Sequence, residues 1–220
     1  MIKLSKRLET ISSLIEKEDN VLDIGCDHAL LDIYLSLKYD KLYYASDLRS
    51  SALEMANANI QKYKAKKVIL RCGNGLKVLE KDDNIDTIVI SGMGCQSILK
   101  ILSNIKFNKK IKKLVIQSNS NSEEARKYLL KNGFYIEKEK LVLDKNIYYI
   151  VSSYKRGKKK YTKLEKEIGI FNDEILNDYI DIEIKKNNIL LSIIPLNNIK
   201  RRYKIKKNIK YLKMKKSSIK

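Results

Sequence analysis

Leu4, Leu8, Ile11 and Ile15 recur at spacings of four, three and four. That rhythm gathers them on one face of an N-terminal helix and leaves Lys6, Arg7 and Glu9 elsewhere. Beyond this helix, short apolar runs alternate with stretches of helical length. Segments 20–25, 41–46, 67–71, 86–91 and 112–117 are short and rich in branched residues, which predicts buried parallel strands. Segments 29–38, 50–63, 95–104 and 121–132 lie between or after them and predict helices, the last opened by Ser120 with Glu123 as a capping box. Strict alternation of this kind predicts an α/β, doubly wound sheet.

The texture changes after Gly133. Segments 134–143 and 147–154 both read as strands, and only Asp144, Lys145 and Asn146 separate them. A parallel crossover needs a dozen or more residues, so this pair forms an antiparallel hairpin. A dehydrogenase sheet of six parallel strands would not end that way. A Rossmann-like methyltransferase sheet of seven strands would, which moves the expected cofactor from a nicotinamide dinucleotide to S-adenosylmethionine (SAM).

Charge divides the chain in two. Lys and Arg number 46 against 26 Asp and Glu, a net charge of +20, and a field of that sign attracts polyanions, nucleic acid first. The heavy use of Lys, Ile and Asn, as an A·T-rich genome would dictate, is the competing explanation for part of it. From Lys155 onward there are 20 basic and 7 acidic residues, a net +13, so the excess is concentrated near the C-terminus. The expected organisation is a domain over 1–156 and a basic helical extension over 157–220. Thr162 and Glu165 make a second capping box, Ile175, Tyr179, Ile182, Ile189 and Ile193 mark one side of a long helix, and Pro195 breaks it. A final helix carries Tyr203, Ile209 and Leu212 on one side. Lys158, Lys159, Lys160, Arg201 and Arg202 are candidate phosphate contacts, with a solvated packing hairpin as the alternative role for the extension.

No run of eighteen apolar residues and no apolar leader occurs, so a soluble, cytoplasmic protein without a membrane partner is expected. Cys26, Cys72 and Cys95 are widely spaced and His28 is the only histidine, which supports neither a disulfide framework nor a metal site. Oligomeric state is not legible, and a monomer is the simplest expectation.

Candidate chemistry collects where strands end. Asp23-Ile24-Gly25-Cys26-Asp27-His28 runs from a strand through a small residue into a helix. It lacks the later glycines of a dinucleotide fingerprint, which disfavours pyrophosphate but suits a cofactor without phosphates. Asp27 could equally cap the helix. Asp47 closes the second strand, where an acid accepts from two ribose hydroxyls, with Leu48 beside it. Asn74 and Gly75 follow the third strand, and the Asn amide could meet an adenine edge or simply make a turn. Ser91, Gly92, Met93 and Gly94 end the fourth strand as a loop open to a flat base, and Gln117 and Asn119 supply amides after the fifth. All five loops follow carboxyl ends of strands, where doubly wound sheets bind ligands.

Leu4-Ser5-Lys6-Arg7-Leu8, Asp23-Ile24-Gly25-Cys26-Asp27-His28-Ala29, Gly73-Asn74-Gly75-Leu76, Ser91-Gly92-Met93-Gly94 and Gln117-Ser118-Asn119 together resemble the bacterial tRNA (adenine-22 N1)-methyltransferase family. The resemblance spans the chain in order and implies a Rossmann-like domain followed by a basic, coiled-coil-like extension. It implies SAM-dependent methylation of N1 of adenine 22 in tRNA. It places Asp23, Gly25, Asp47 and Asn74 at the cofactor, Asp27, His28 and the 92–94 loop at the target base, and Ser5 and Arg7 reaching in from the N-terminal helix. The sequence departs from the family pattern at Asn74 (Asp usual), Leu30 (Tyr), Asp32 (Pro), Cys95 (Gly) and Ser118 (Pro). Methylation of another RNA site or a small molecule, and SAM or RNA binding without turnover, are the competing functions.

Overall fold

The computed structural model describes residues 2–103, 105 and 108–218. It divides into two compact units, Met1–Lys159 and Lys160–Lys220.

In the first unit, helix α1 (Lys6–Ser12) precedes strand β1 (Val21–Ile24), and the chain then alternates through α2 (Leu30–Tyr39), β2 (Tyr43–Asp47), α3 (Ser50–Tyr63) and β3 (Val68–Cys72). A 3₁₀ turn over Gly75–Val78 leads to β4 (Thr87–Met93), α4 (Cys95–Ile101), β5 (Lys113–Ser118) and α5 (Ser122–Lys131). Strands β6 (Phe134–Asp144) and β7 (Ile147–Arg156) close the sheet. The order across the seven strands is β3-β2-β1-β4-β5-β7-β6. The first five are parallel, and β7 runs antiparallel to both β5 and β6. Asn104, the expected last residue of the fourth helix, lies outside the described residues.

Local chemistry explains the hairpin. Asp144 pairs with Ile147, so the loop is the two residues Lys145 and Asn146, both at positive φ (49° and 63°). That is the backbone of a type I′ turn, whose twist matches the flanking strands. The capping box expected at Ser120 and Glu123 does not form. Helix α5 starts after Asn121 in the left-handed region (φ 48°), and the Ser120 hydroxyl instead accepts from the Cys95 backbone N–H at 3.3 Å.

Leu4, Ile11 and Ile15 are buried and Leu8 partly so. They pack with Leu31 and Leu35 of α2 and with Val89, Val115 and Val151 of the central strands, so α1 is part of the core and closes one side of the sheet.

The second unit contains α6 (Lys163–Glu167), α7 (Leu176–Ile193) and α8 (Ile199–Ser217). The Thr162–Glu165 capping box opens α6. Helices α7 and α8 are antiparallel: Arg202 Nη1 donates to the carbonyls of Leu191 and Ile194 near the Pro195 turn, and Lys216 pairs with Asp181 far from it. The buried face of α7 is Leu176, Ile180 and Asn187, not the predicted stripe, and Ile182, Ile189 and Ile193 are exposed. Asn187 can be buried because its side-chain amide donates to the Glu183 carbonyl at 2.7 Å. On α8, Leu212 is buried as predicted, whereas Tyr203 is exposed and Ile205 and Tyr211 take the inward positions. Among the described residues no helix is long and apolar enough to cross a membrane.

Candidate functional site

A cavity of about 790 Å³ opens at the carboxyl ends of the parallel strands, the position at which such sheets bind ligands. Its floor is β1. Asp23 is 4% exposed and lines the cavity, and Gly25 two residues on turns the chain at φ +79°. A side chain at Gly25 would have to displace the terminal methyl group of Met93, and the positive φ is the conformation that glycine adopts without strain. The N–H groups of Gly25 and Cys26 both donate to the Ser46 carbonyl, at 2.7 and 3.0 Å, which fixes the turn against the end of β2.

Asp47 ends β2 and is buried. Its Oδ1 accepts from the Arg49 backbone N–H at 3.0 Å and from Arg49 Nε at 3.4 Å, and its Oδ2 accepts from the Asp27 N–H at 3.4 Å. A carboxylate offers about four lone-pair sites, so acceptor capacity for a pair of hydroxyls is left. Asp27 itself sits at φ 49° and does not cap α2, whose N-cap is Ala29 without a side-chain bond. The Asp27 carboxylate is 58% exposed and lies 3.4 Å from His28 Nε2 and 3.5 Å from Arg49 Nη2. Contacts so long and so open to water add little stability, and they leave the group at the cavity mouth where a ligand can meet it.

The opposite wall is the loop that ends β4. Its register shifts between Ser91 and Met93, and Gly92 adopts φ +75°. Four bonds hold it. Gln117 Oε1 accepts from the Gly92 N–H at 2.9 Å and from Arg7 Nη1 at 2.8 Å, Gln117 Nε2 donates to Asn119 Oδ1 at 3.0 Å, and Asn119 Nδ2 donates to the Gly92 carbonyl at 2.8 Å. Arg7 is further placed by its backbone N–H on Asp144 Oδ2 at 3.3 Å and by the Tyr149 ring, 5.6 Å away.

The cavity thus brings together Arg7, Asp23, Gly25, Asp27 and His28 with Asp47, Leu48, Asn74, Gly75, Ser91, Gly92 and Met93. Other predicted residues stand behind it. Ser5 caps α1 by accepting from the Leu8 N–H at 3.4 Å, Gly94 is the N-cap of α4, and Gln117 and Asn119 brace the 92–94 loop. Lys158 and Lys159 are exposed at the end of the first unit, and Lys160 and Arg201 are exposed in the second, where Arg202 caps α7. The sequence reading missed Arg49, Ser97 and Lys100, which also line the cavity. Arg49 follows Asp47 by two residues and could have been flagged on that ground. Lys100 reaches the wall only through the placement of α4.

Burial dominates the electrostatics of the floor. It pushes Asp23 up to about 7, with Arg7 opposing the rise and Asp47 adding to it. The Cys26 thiol is raised by burial and by the surrounding carboxylates, so it is a packed group and not a nucleophile.

These residues suit SAM. The buried Asp23 Oδ1 has no protein donor and lines the cavity, ready for a cationic group. Asp47 supplies acceptors for a ribose, and the Gly25 turn lets backbone approach a ligand.

Residues 4–151 match the model of a methyltransferase domain family. A curated Mycoplasma genitalium protein, assigned provisionally as a tRNA methyltransferase, is 34% identical over 179 residues, 79% of either chain. The tRNA (adenine(22)-N(1))-methyltransferase of Bacillus subtilis is 32% identical over 136 residues, 60% of this chain and 57% of that one. The structure of M. capricolum TrmK in complex with S-adenosyl-homocysteine superposes with a TM-score of 0.86 at 31% identity, covering 99% of each chain.

Proposed function

The chain belongs to the bacterial tRNA (adenine-22 N1)-methyltransferase family, and from that membership we propose that it transfers the methyl group of SAM to N1 of adenine 22 in tRNA. The observation that supports this reading most is the shared opening of Asp23, Gly25 and Asp47 into one cavity faced by the Gly92–Met93 loop.

When bound, SAM supplies an electrophilic methyl group on a sulfonium. Asp47 would accept from its ribose hydroxyls, Asp23 would hold its ammonium group, and Asn74 would meet its adenine edge. N1 of the target adenine carries an in-plane lone pair, so its attack needs no prior deprotonation. The contribution of the chain is therefore alignment, an effect that reaches ~7–11 kcal/mol when reacting groups are held in near-attack geometry. The braced 92–94 loop and Arg7 form the rigid side of that alignment. Because N1 is the pairing edge, the base has to be unpaired or extruded before it is read. Asp27 accepts from its exocyclic amine and stabilises the positive charge that develops on the ring. The extension acts as a tRNA clamp: α8 and the residues after it carry eleven cations and no acid, suited to neutralising phosphates.

The test is product identity. Full-length protein incubated with methyl-labelled SAM and unmodified tRNA, then digested to nucleosides, should yield label in 1-methyladenosine. Label in another nucleoside would transfer the reading to a different RNA methylation, and binding of both ligands without transfer would remove turnover.

A further inference from the structure

Helix α8 turns two different sides to its surroundings. Ile205 and Leu212 are buried in the second unit, and Arg202 bonds the last carbonyls of α7. Ile199, Tyr203, Lys206, Lys210 and Met214 recur at intervals of four, three, four and four, which gathers them on another face. All five are exposed, Ile199 by 74%, Tyr203 by 68% and Met214 by 45%. Two other lysines of the helix are paired, Lys207 with Glu167 and Lys216 with Asp181. Lys206 and Lys210 on the outward face, and Lys200 and Arg201 at the start of the helix, have no acid partner among the described residues.

Cations without acids repel a second copy of the same face and attract a polyanion. Charge alone would be served by Lys at every position. A ring and two apolar side chains left in water among those cations add nothing to phosphate binding, and an RNA duplex offers them no partner because its bases are stacked inward. An unpaired nucleobase does offer one: a flat apolar surface with phosphates on either side. Aromatic rings interleaved with cations are the means by which proteins hold single strands. We propose that the outward face of α8 binds unpaired, unstacked bases of the RNA, with Tyr203 as the stacking platform and Lys206 and Lys210 on the flanking phosphates. The face thereby selects a looped RNA over a plain stem. This rests on the reading of the extension as an RNA clamp, and adds to it the part of the RNA that is held.

The test compares two labelled RNAs by fluorescence anisotropy over a range of salt, using the full chain: an unmodified tRNA transcript and a blunt RNA duplex of similar phosphate count. Tyr203→Ala should weaken tRNA binding by ~5-fold or more, keep its salt slope because stacking releases no counterions, and leave duplex binding within ~2-fold of wild type. Tyr203→Phe keeps the ring and should restore tRNA binding. Lys206→Ala should instead weaken both RNAs and lower the salt slope. The ring is exposed, so both Tyr203 variants should fold, which an unchanged Tm verifies. Normal tRNA binding by Tyr203→Ala, an equal loss on both RNAs, or a loss that Phe does not restore overturns the proposal. So does wild-type self-association, or binding to vesicles of anionic phospholipid, that Tyr203→Ala abolishes while tRNA binding persists unchanged; those results assign the face to a second copy or to a lipid surface. A wild type that does not bind tRNA overturns the clamp and this proposal together. The expected pattern in a protein that methylates another nucleotide supports the proposal while ending the adenine-22 assignment.

Discussion

Arg7 Nη1 donates to Gln117 Oε1 at 2.8 Å across 110 positions of sequence. Through this bond the N-terminal helix and the end of β5 share one anchor, because the same Gln117 oxygen holds the Gly92 N–H. Removing the amide leaves a guanidinium and a backbone donor without their acceptor, at a cost of about 1–3 kcal/mol. Gln117→Ala is therefore expected to lower kcat by ~10-fold or more, because it loosens the loop opposite the reacting methyl, while the cofactor Kd changes less. Steady-state kinetics alongside calorimetry separates the two, and an unchanged kcat would remove the brace from the account.

Asp27 and Asp47 are joined by a backbone N–H···Oδ2 contact of 3.4 Å, yet their environments assign them different work. Asp47 is buried and fixed, whereas Asp27 is open at the mouth. Asp47→Ala should weaken SAM binding by ~10–100-fold, the scale of hydrogen bonds to a charged acceptor, and Asp27→Ala should lower turnover more than cofactor affinity. Equal effects of both changes on both parameters would contradict the division.

The raised Asp23 has a consequence for stability. Its folded value of about 7 exceeds the ordinary 3.8, so between those values the folded state binds more protons than the unfolded one, and stability falls as pH rises through that window. The contribution is on the order of a few kcal/mol. Asp23→Asn should therefore be more stable than wild type at pH 8 and lose most of that advantage near pH 4, measured by thermal unfolding without ligand. A variant less stable than wild type at pH 8 would show that Asp23 is stabilised as an anion by contacts other than those seen.

The exposed cations of α8 should act on RNA and not on the cofactor. Replacing Arg201, Lys204 and Lys206 by Ala in the full chain is expected to weaken tRNA binding and to flatten its salt dependence by up to ~0.9 in slope for each phosphate no longer neutralised, with S-adenosylhomocysteine affinity unchanged. An unaltered slope would favour a packing role for the extension.

The alternation of strands and helices was legible because hydrophobic period and segment length are local properties, and the reversed strand because three intervening residues leave no alternative. The five loops at the cavity were legible for the same reason: strand ends are visible in sequence, and doubly wound topology brings them together. What could not be read depends on tertiary choice. Asn187 entered the α7 face in place of larger Ile residues once its amide found a carbonyl. Ser120 left its helix to serve the Cys95 N–H.

One measurement bears most directly on the claim that this cavity delivers a methyl group to N1 of adenine 22. Two unmodified tRNA transcripts, identical except for A or G at nucleotide 22, are incubated with the full chain and methyl-labelled SAM. The account predicts incorporation near one methyl per A22 transcript, located at that nucleotide, and none in the G22 transcript. Equal labelling of both transcripts would contradict it.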